Sequence, residues 1–209
     1  VAGITGTNGK TTISDLIEAL AKRSGRACGV IGTINYRFAG KIFPAKNTTP
    51  GAGQLQGLLK RMFAQKMKYC AMEVSSHALD QQRVAGVNFT QAIFTNLTQD
   101  HLDYHKNLEN YFLAKARLFR DLALQSWAII NNDDAYGRRM KRLTRAKILT
   151  YGIKNNSDVM AKEINFGLHF TEFTLVAPHM RMRIKSNLVG RYNVYNILAA
   201  IGLGISYGM

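Results

Sequence analysis

Cysteine is scarce in this chain: Cys28 and Cys70 are the only two in 209 residues, and each sits in an apolar run. That pattern excludes a disulfide framework and fits reduced core thiols of a cytosolic protein. Acidic side chains are also few, 13 against 28 lysines and arginines, which leaves a formal net charge of +15. No apolar run reaches the length of about 20 residues that a membrane span needs, and residues 196–209 read as a packed helix instead. A basic n-region followed by an apolar h-region is missing, so no signal peptide is expected. Internal repeats, low-complexity segments and flexible linkers are missing too. What remains is 46% hydrophobic and long enough for one sizeable core, or one domain with a small subdomain. The chain opens inside a strand and stops in or just after a helix, as a domain taken from a longer protein would.

The richest stretch comes first. Val1 to Thr5 is an apolar β-type run, Gly6-Thr7-Asn8-Gly9-Lys10-Thr11-Thr12 follows, and Ile13, Leu16, Ile17, Leu20 and Ala21 recur with helical spacing. A glycine-rich loop that opens a helix points free N–H groups and a helix dipole at its ligand, which favours phosphate. Lys10 adds a full positive charge, and the hydroxyl of Thr11 is placed to hold Mg²⁺ against the same phosphates. The chain departs from the general phosphate-loop pattern in having Ile4 where a glycine is usual, with Gly6 supplying flexibility two residues later.

Strand and helix patterns alternate along the first two thirds of the chain. Residues 27–33 read as a strand, 34–43 as a hairpin, and Asn47-Thr48-Thr49-Pro50 as a polar loop before a helix with Leu55, Leu58, Leu59, Met62 and Phe63 on one face. A strand over 68–74 ends in Glu73. A carboxylate at the carboxyl end of a buried strand is suited to hold Mg²⁺ or its water, although a helix-capping or salt-bridged acid would read the same. Ser75, Gln81 and Arg83 follow, then a strand over 89–97 and Asp100-His101-Leu102-Asp103-Tyr104-His105. Two histidines four apart could face zinc from one helix, but no third nitrogen or sulfur ligand stands nearby. One histidine, His101, joining Glu73 around magnesium asks for less, with His105 structural.

The helix expected over 108–122 carries an oddity. Lys115 falls on the apolar stripe of Leu108, Tyr111, Phe112, Leu118, Phe119 and Leu122. Either it snorkels, stem buried and ammonium in water, or it is buried with a lowered pKa and an accessible neutral amine. Strands over 126–131 and 146–152 flank a basic helix over 134–145. Three strand-like runs within 158–188 then follow without a helix between them. That shift predicts a small antiparallel sheet packed beside a mostly parallel, helix-flanked α/β sheet of phosphate-loop type. In 179–185 Met180, Met182 and Ile184 alternate with charges, as on a half-exposed strand. The basic excess raises nucleic acid as a partner. Solvated faces account for it better, no nucleic-acid module accompanies it, and the same field would attract a polyanionic small substrate.

Taken together, Gly6 to Thr12, Asn47 to Pro50, Glu73-Val-Ser-Ser-His-Ala-Leu79 with Gln81 and Arg83, Thr95-Asn-Leu97, Asp100 to His105, Ala114-Lys115, Asn131 to Asp134 and Gly190-x-x-Asn193-x-x-Asn196 resemble the central, ATP-binding domain of the Mur ligases over essentially the whole chain. The likeness is greatest to the branch that makes the UDP-N-acetylmuramoyl tripeptide in the cytoplasm. The resemblance implies ATP-dependent amide formation on UDP-N-acetylmuramoyl-L-alanyl-D-glutamate, through an acyl phosphate that the amine of an amino acid then displaces. It implies Mg²⁺ held by Thr11 and Glu73, and a second Mg²⁺ held by His101 and a carbamylated Lys115. It places Asn47, Thr48, Thr49, Ser75, Gln81 and Arg83 at the muramoyl peptide and Asn193 and Asn196 at the nucleotide, with Tyr192 able to pack on adenine. It further implies a monomer acting on neither nucleic acid nor membrane, and N-terminal UDP-binding and C-terminal amino-acid-binding domains outside this chain. Folylpolyglutamate or cyanophycin synthetases share the first and last motifs, and a basic nucleic-acid-binding module with a vestigial loop is the reading from another class.

Overall fold

The computed structural model describes all residues, Val1–Met209. In chain order its elements are β1 (Ala2–Thr5), α1 (Lys10–Arg23), β2 (Cys28–Ile31), β3 (Asn35–Phe38), β4 (Lys41–Pro44), α2 (Ala52–Ala64), β5 (Tyr69–Glu73), α3 (Ser76–Asp80), β6 (Gln91–Phe94), α4 (Leu102–His105), α5 (Leu108–Arg120), β7 (Trp127–Asn131), α6 (Ala135–Met140), β8 (Lys147–Gly152), β9 (Val159–Phe166), β10 (Thr171–Ala177), β11 (Met180–Ser186) and α7 (Arg191–Ser206). One sheet of 11 strands runs in the order β11-β10-β9-β8-β7-β6-β1-β5-β2-β3-β4. Its centre, from β9 to β2, is paired in parallel, and the outer pairings beyond β9 and β2 are antiparallel. The chain leaves β1 first toward β2 and β5 and later toward β6 and β7, so the loops at the carboxyl ends diverge at β1. In open α/β sheets a ligand crevice forms at such a reversal.

Central strands are apolar on both sides because both faces are covered. One layer joins β-strand residues to α2, α3 and α5 through Leu55, Leu58, Met62, Phe94, Phe112 and Phe119. The other joins them to α1 and α7 through Ile4, Ile13, Ile17, Ile129, Leu149, Val194 and Leu198. Helix α7 is buried nearly all round, as its apolar composition requires.

Four expectations are corrected. The meander is no separate sheet: β9 pairs in parallel with β8 through Tyr151↔Val159, so β9 to β11 extend the main sheet edge-on. The basic helix ends at Met140 rather than Arg145, because Arg142 and Leu143 make tighter i→i+3 bonds to Arg139 and Met140. Phe63 leaves the apolar face of α2 and is 85% exposed, while Leu55, Leu58 and Met62 are buried. Eight residues beyond Leu55 the helix has drifted about 80° round, and α2 lies at the flank, where the covered stripe is narrow. On β11 only Ile184 packs on the core, and Met180 and Met182 stay largely exposed. The thiols behave as expected: Cys70 is buried and Cys28 half-buried, both free, and burial pushes them up to about 12 and about 11.

The two adjacent α2 positions give a direct check. Met62→Ala should cost about 2–5 kcal/mol in denaturant unfolding, whereas Phe63→Ser should stay within about 0.5 kcal/mol of the parent.

Candidate functional site

The loop between β1 and α1 is built on two glycines with positive φ, Gly6 at 142° and Gly9 at 91°. A Cβ on Gly6 would lie 1.9 Å from Thr95 Oγ1, and one on Gly9 would lie 2.4 Å from Asn196 Oδ1. The loop after β6 holds it from outside. Asn96 C=O accepts from Thr7 N–H at 2.9 Å, Asn96 Oδ1 accepts from Asn8 N–H at 3.1 Å, and Thr95 Oγ1 donates to Asn8 C=O at 2.7 Å. No side chain caps the start of α1, so its first-turn N–H groups face the cleft. The Lys10 ammonium donates to the carbonyls of Gly6 and Thr7 at 2.9 and 2.8 Å. Burial lowers its pKa, with Glu73 and Asp100 acting against that.

Glu73, at the carboxyl end of β5, is 1% exposed. Its Oε1 accepts from Thr11 Oγ1 at 3.0 Å and from Thr33 N–H at 2.9 Å, and its Oε2 accepts from Thr33 Oγ1 at 3.0 Å. It caps no helix and makes no salt bridge; Ser75 caps α3, accepting from Ala78 N–H. The second loop is tied to the same strand end. Thr49 Oγ1 donates to Glu73 C=O at 2.9 Å and accepts from Ser75 N–H at 3.0 Å, while Tyr36 OH donates to Asn47 C=O at 2.6 Å. Arg83 donates to Thr49 C=O at 3.2 Å and to Gln81 Oε1 at 2.8 Å. A cleft of about 360 Å³, with no hydrophobic residue in its lining, is bounded by Thr7 to Thr12, Thr33, Thr48, Glu73, Ser75 and His101.

His101 stands just before α4 with φ 52°, ψ 30°, so it and His105 do not share a helical face. His105 is buried with Nε2 2.9 Å from Ser76 Oγ, a packing role. Lys115 does not snorkel. It is 1% exposed, its Nζ donates to Gly6 C=O at 3.1 Å and lies 4.4 Å from the Tyr111 ring centroid. Burial first, and then the Lys10 charge, hold its pKa well below that of an ordinary lysine. The Tyr111 ring also meets His101, centroids 6.0 Å apart, so one aromatic ring separates the lysine from the histidine.

On the other side of the loop a wider cleft of about 670 Å³ is lined by Asn8, Gly9, Thr95, Asn96, Asn131, Asp133, Tyr151, Tyr192, Tyr195 and Asn196 among others. Asn193 sits behind it, its Oδ1 accepting from Asn196 Nδ2 at 3.2 Å, and Tyr192 is 83% exposed at the rim. Asp133 fixes the wall. Its carboxylate accepts from the N–H groups of Ile153, Lys154 and Asn155 and from Tyr195 OH at 2.6–2.9 Å. Burial would raise its pKa, but those four donors outweigh burial and hold it below the usual carboxylate range. Thr33, Asn96, Tyr111 and Tyr195 were not legible as site residues; only the Thr95-Asn96 and Asn131 to Asp134 motifs pointed near them.

No group of three or more His, Cys, Asp or Glu side chains gathers to hold a metal unaided. The donors present are a carboxylate and a hydroxyl 3.0 Å apart in a polar cleft, hard oxygens that suit magnesium sharing its shell with phosphate and water.

Because Asp133 titrates lower in the folded chain, its contribution to stability is full above the unfolded carboxylate pKa of about 3.9 and is lost as pH falls through the folded value. Thermal midpoints from pH 7 to pH 3 should therefore show Asp133→Asn well below the parent at neutral pH, with the gap closing only below about pH 4.

The sequence profile of the Mur ligase middle domain matches residues 4–204. The chain is 45% identical, over its whole length, to a UDP-N-acetylmuramoyl-L-alanyl-D-glutamate–2,6-diaminopimelate ligase of Geobacter sulfurreducens, and 46% identical over 99% of its length to a ligase of the same name from Bacillus velezensis. It spans 42% and 44% of those relatives. A solved structure of a ligase with that name superposes on 100% of this chain and 43% of its own, with a TM-score of 0.91 at 36% identity. MurF from Acinetobacter baumannii, at 21% identity and a TM-score of 0.79, shares the fold. The chain thus belongs to the Mur ligase family, to whose middle domain it corresponds.

Proposed function

We propose that this chain is the nucleotide-binding domain of an ATP-dependent ligase that adds the third amino acid, 2,6-diaminopimelate by the relatives' names, to UDP-N-acetylmuramoyl-L-alanyl-D-glutamate. The observation that carries the reading is the position of Glu73: one buried carboxylate bonded to Thr11 of the phosphate loop and, through Thr33, facing Thr48 of the second loop. Such a carboxylate stands where a phosphoryl donor and the carboxylate that accepts the phosphoryl group would meet. The reaction is cytoplasmic, uses no nucleic acid and needs one copy of the chain. No helix is long and apolar enough to cross a membrane. Several cations of the basic helix region are already bound within the fold, Arg139 to Glu109 and Lys141 to Asn132.

The muramoyl peptide's terminal carboxylate oxygen, the phosphoryl acceptor, attacks the γ-phosphorus, the bond to the β-phosphate oxygen breaks, and ADP leaves with that electron pair. The incoming amine then attacks the acyl carbon, loses a proton and expels inorganic phosphate. Two anions approach in the first step, so the α1 N–H groups and Lys10 oppose the charge developing on the transferred phosphoryl oxygens. Thr48, Thr49, Ser75, Gln81, Arg83 and the Asn47 loop hold the muramoyl peptide, and Asn193, Asn196 and the Tyr192 rim hold the nucleoside. Thr11 and Glu73 would hold one magnesium ion, which neutralises phosphate charge when bound. His101 and Lys115 would hold a second, once the Tyr111 ring that stands between them swings aside. For Lys115 this requires a carbamate, formed when its neutral amine adds CO₂ and gives up a proton, and the burial of the amine supplies that neutral form. The flanking domains that grip UDP and the incoming amino acid belong to the rest of the protein, so residues 1–209 should bind Mg²⁺-ATP without making tripeptide.

Calorimetric titration of the chain with Mg²⁺-ATP and with duplex DNA at physiological salt tests the class: nucleotide binding with salt-sensitive DNA binding is expected, and tight salt-resistant DNA binding without nucleotide binding would refute it. In the full-length ligase, Lys115→Ala should lower the ligation rate about a hundredfold or more while ATP binding persists, and short-chain carboxylic acids should partly restore the rate. A bicarbonate-independent, unrescuable loss would leave Lys115 a packing residue.

A further inference from the structure

Thr33 stands outside the motifs quoted above for the resemblance, yet its side chain joins the two loops of the polar cleft. Strands β2 and β5 run parallel with Ile31 opposite Met72, so Gly32 and Thr33 continue alongside Glu73. The carboxylate is pressed against this backbone: a Cβ on Gly32 would fall 2.3 Å from Oε1. Thr33 then binds both oxygens, N–H to Oε1 at 2.9 Å and hydroxyl to Oε2 at 3.0 Å. The same hydroxyl oxygen lies 3.0 Å from Thr48 Oγ1.

A threonine hydroxyl has one proton to donate. Glu73 accepts that of Thr33, so Thr48 must donate to Thr33, and only its lone pairs are left to face a ligand. The three groups form a directed chain from Thr48 through Thr33 to Glu73. Hydrogen bonds in such a chain polarise one another, and a carboxylate at the end is its strongest acceptor. A cation on Glu73 draws electron density from the carboxylate and alters its hold on the Thr33 hydroxyl, and thus the hold of Thr33 on Thr48. The hairpin that carries Thr33 is braced independently, because Arg37 of β3 donates to Glu18 and Asp15 of α1 at 2.6–2.9 Å.

We propose that Thr33 is a positioning residue that couples the Asn47–Pro50 loop to the Glu73 carboxylate, so that nucleotide-bound magnesium and the ligand held by that loop bias each other's binding. The inference rests on the ligase reading above and adds a residue and a linkage to it. By reciprocity, whatever the metal-nucleotide does to the loop, the loop's ligand does to the metal-nucleotide.

The test uses the ¹⁵N-labelled chain, a non-hydrolysable ATP analogue, and either Mg²⁺ or EDTA. In the parent, amides of Thr48 and Thr49 should shift with analogue plus magnesium and not with analogue plus EDTA. Thr33→Val removes the relay and keeps the backbone donor. Its loop shifts should vanish and the magnesium-dependent part of the affinity should fall about tenfold, as when a metal ligand loses its outer hydrogen bond. Affinity in EDTA should not change, and Thr33→Ser should restore both signals. If Thr33→Val has no thermal transition, Thr48→Val cuts the chain at its other end and must silence Thr49 in the same way. A Thr33→Val chain that responds like the parent overturns the coupling, as does a silent Thr48 in a parent whose Gly6–Thr12 amides respond. A parent with no response at Gly6–Thr12 overturns the nucleotide reading itself.

Discussion

A buried carboxylate with no cationic partner is the constraint on which the rest of this fold depends. Placing Glu73 at the end of a central parallel strand takes its charge out of water, and charge burial is costly unless hydrogen-bonded. The three donors come from two threonines, Thr11 and Thr33, that lie 62 and 40 residues away in sequence. Each donor imposes a condition on its own neighbourhood. Thr11 arrives only if the loop turns at Gly6 and Gly9. Thr33 arrives only if β2 ends in a glycine thin enough to let the carboxylate approach. The parallel register of β1, β2 and β5 satisfies both, which is why the site needs the sheet and not just the loop.

The same economy of charge separates the two lysines of the site. Lys10 and Lys115 both donate to the Gly6 carbonyl, at 2.9 and 3.1 Å, one from the loop's own helix and one from α5. Burial, and then the nearby charge of Lys10, disfavour protonation of Lys115, whereas Glu73 and Asp100 favour the charge on Lys10. Lys115 is therefore the group whose chemistry the surroundings alter most, and Lys10 keeps the role of a positive charge in the polar cleft.

Most of the parallel core was legible because its signals are local. The helical spacing from Ile13 to Ala21, the apolar runs around Cys70 and Ile129, and the glycines of the first loop each point to one structure. The misplacement of Lys115 on an apolar stripe was legible as well, and of its two explanations the structure retains burial. What periodicity could not give was anything set by distant partners. Whether β9 to β11 form their own sheet or extend the main one is decided by a few residues of pairing between β8 and β9, which leave no mark on alternation. Phe63 obeyed the helical period and still faces solvent, because the width of a covered stripe belongs to the neighbours of α2. Thr33 and Tyr195 act through contacts 40 and 62 residues away, and neither residue type is unusual where it stands. The assignment of roles to Asn47, Gln81 and Asn193 came from family likeness, and their geometry alone would not have named a ligand.

The continuation of the meander into the main sheet leaves the molecule with two open edges, β4 and β11. An unpaired strand edge is a template for the edge of another molecule. Lys41 and Pro44 bound the short strand at one end of the sheet, and Arg181, Arg183 and Lys185 stud the other, with Glu163 and Glu172 beneath the arginines. Part of the chain's positive excess thus works far from any phosphate. Charges on a sheet edge disfavour its pairing with a neighbouring molecule, so neutralising those arginines should show first as aggregation on storage, before any change at the cleft.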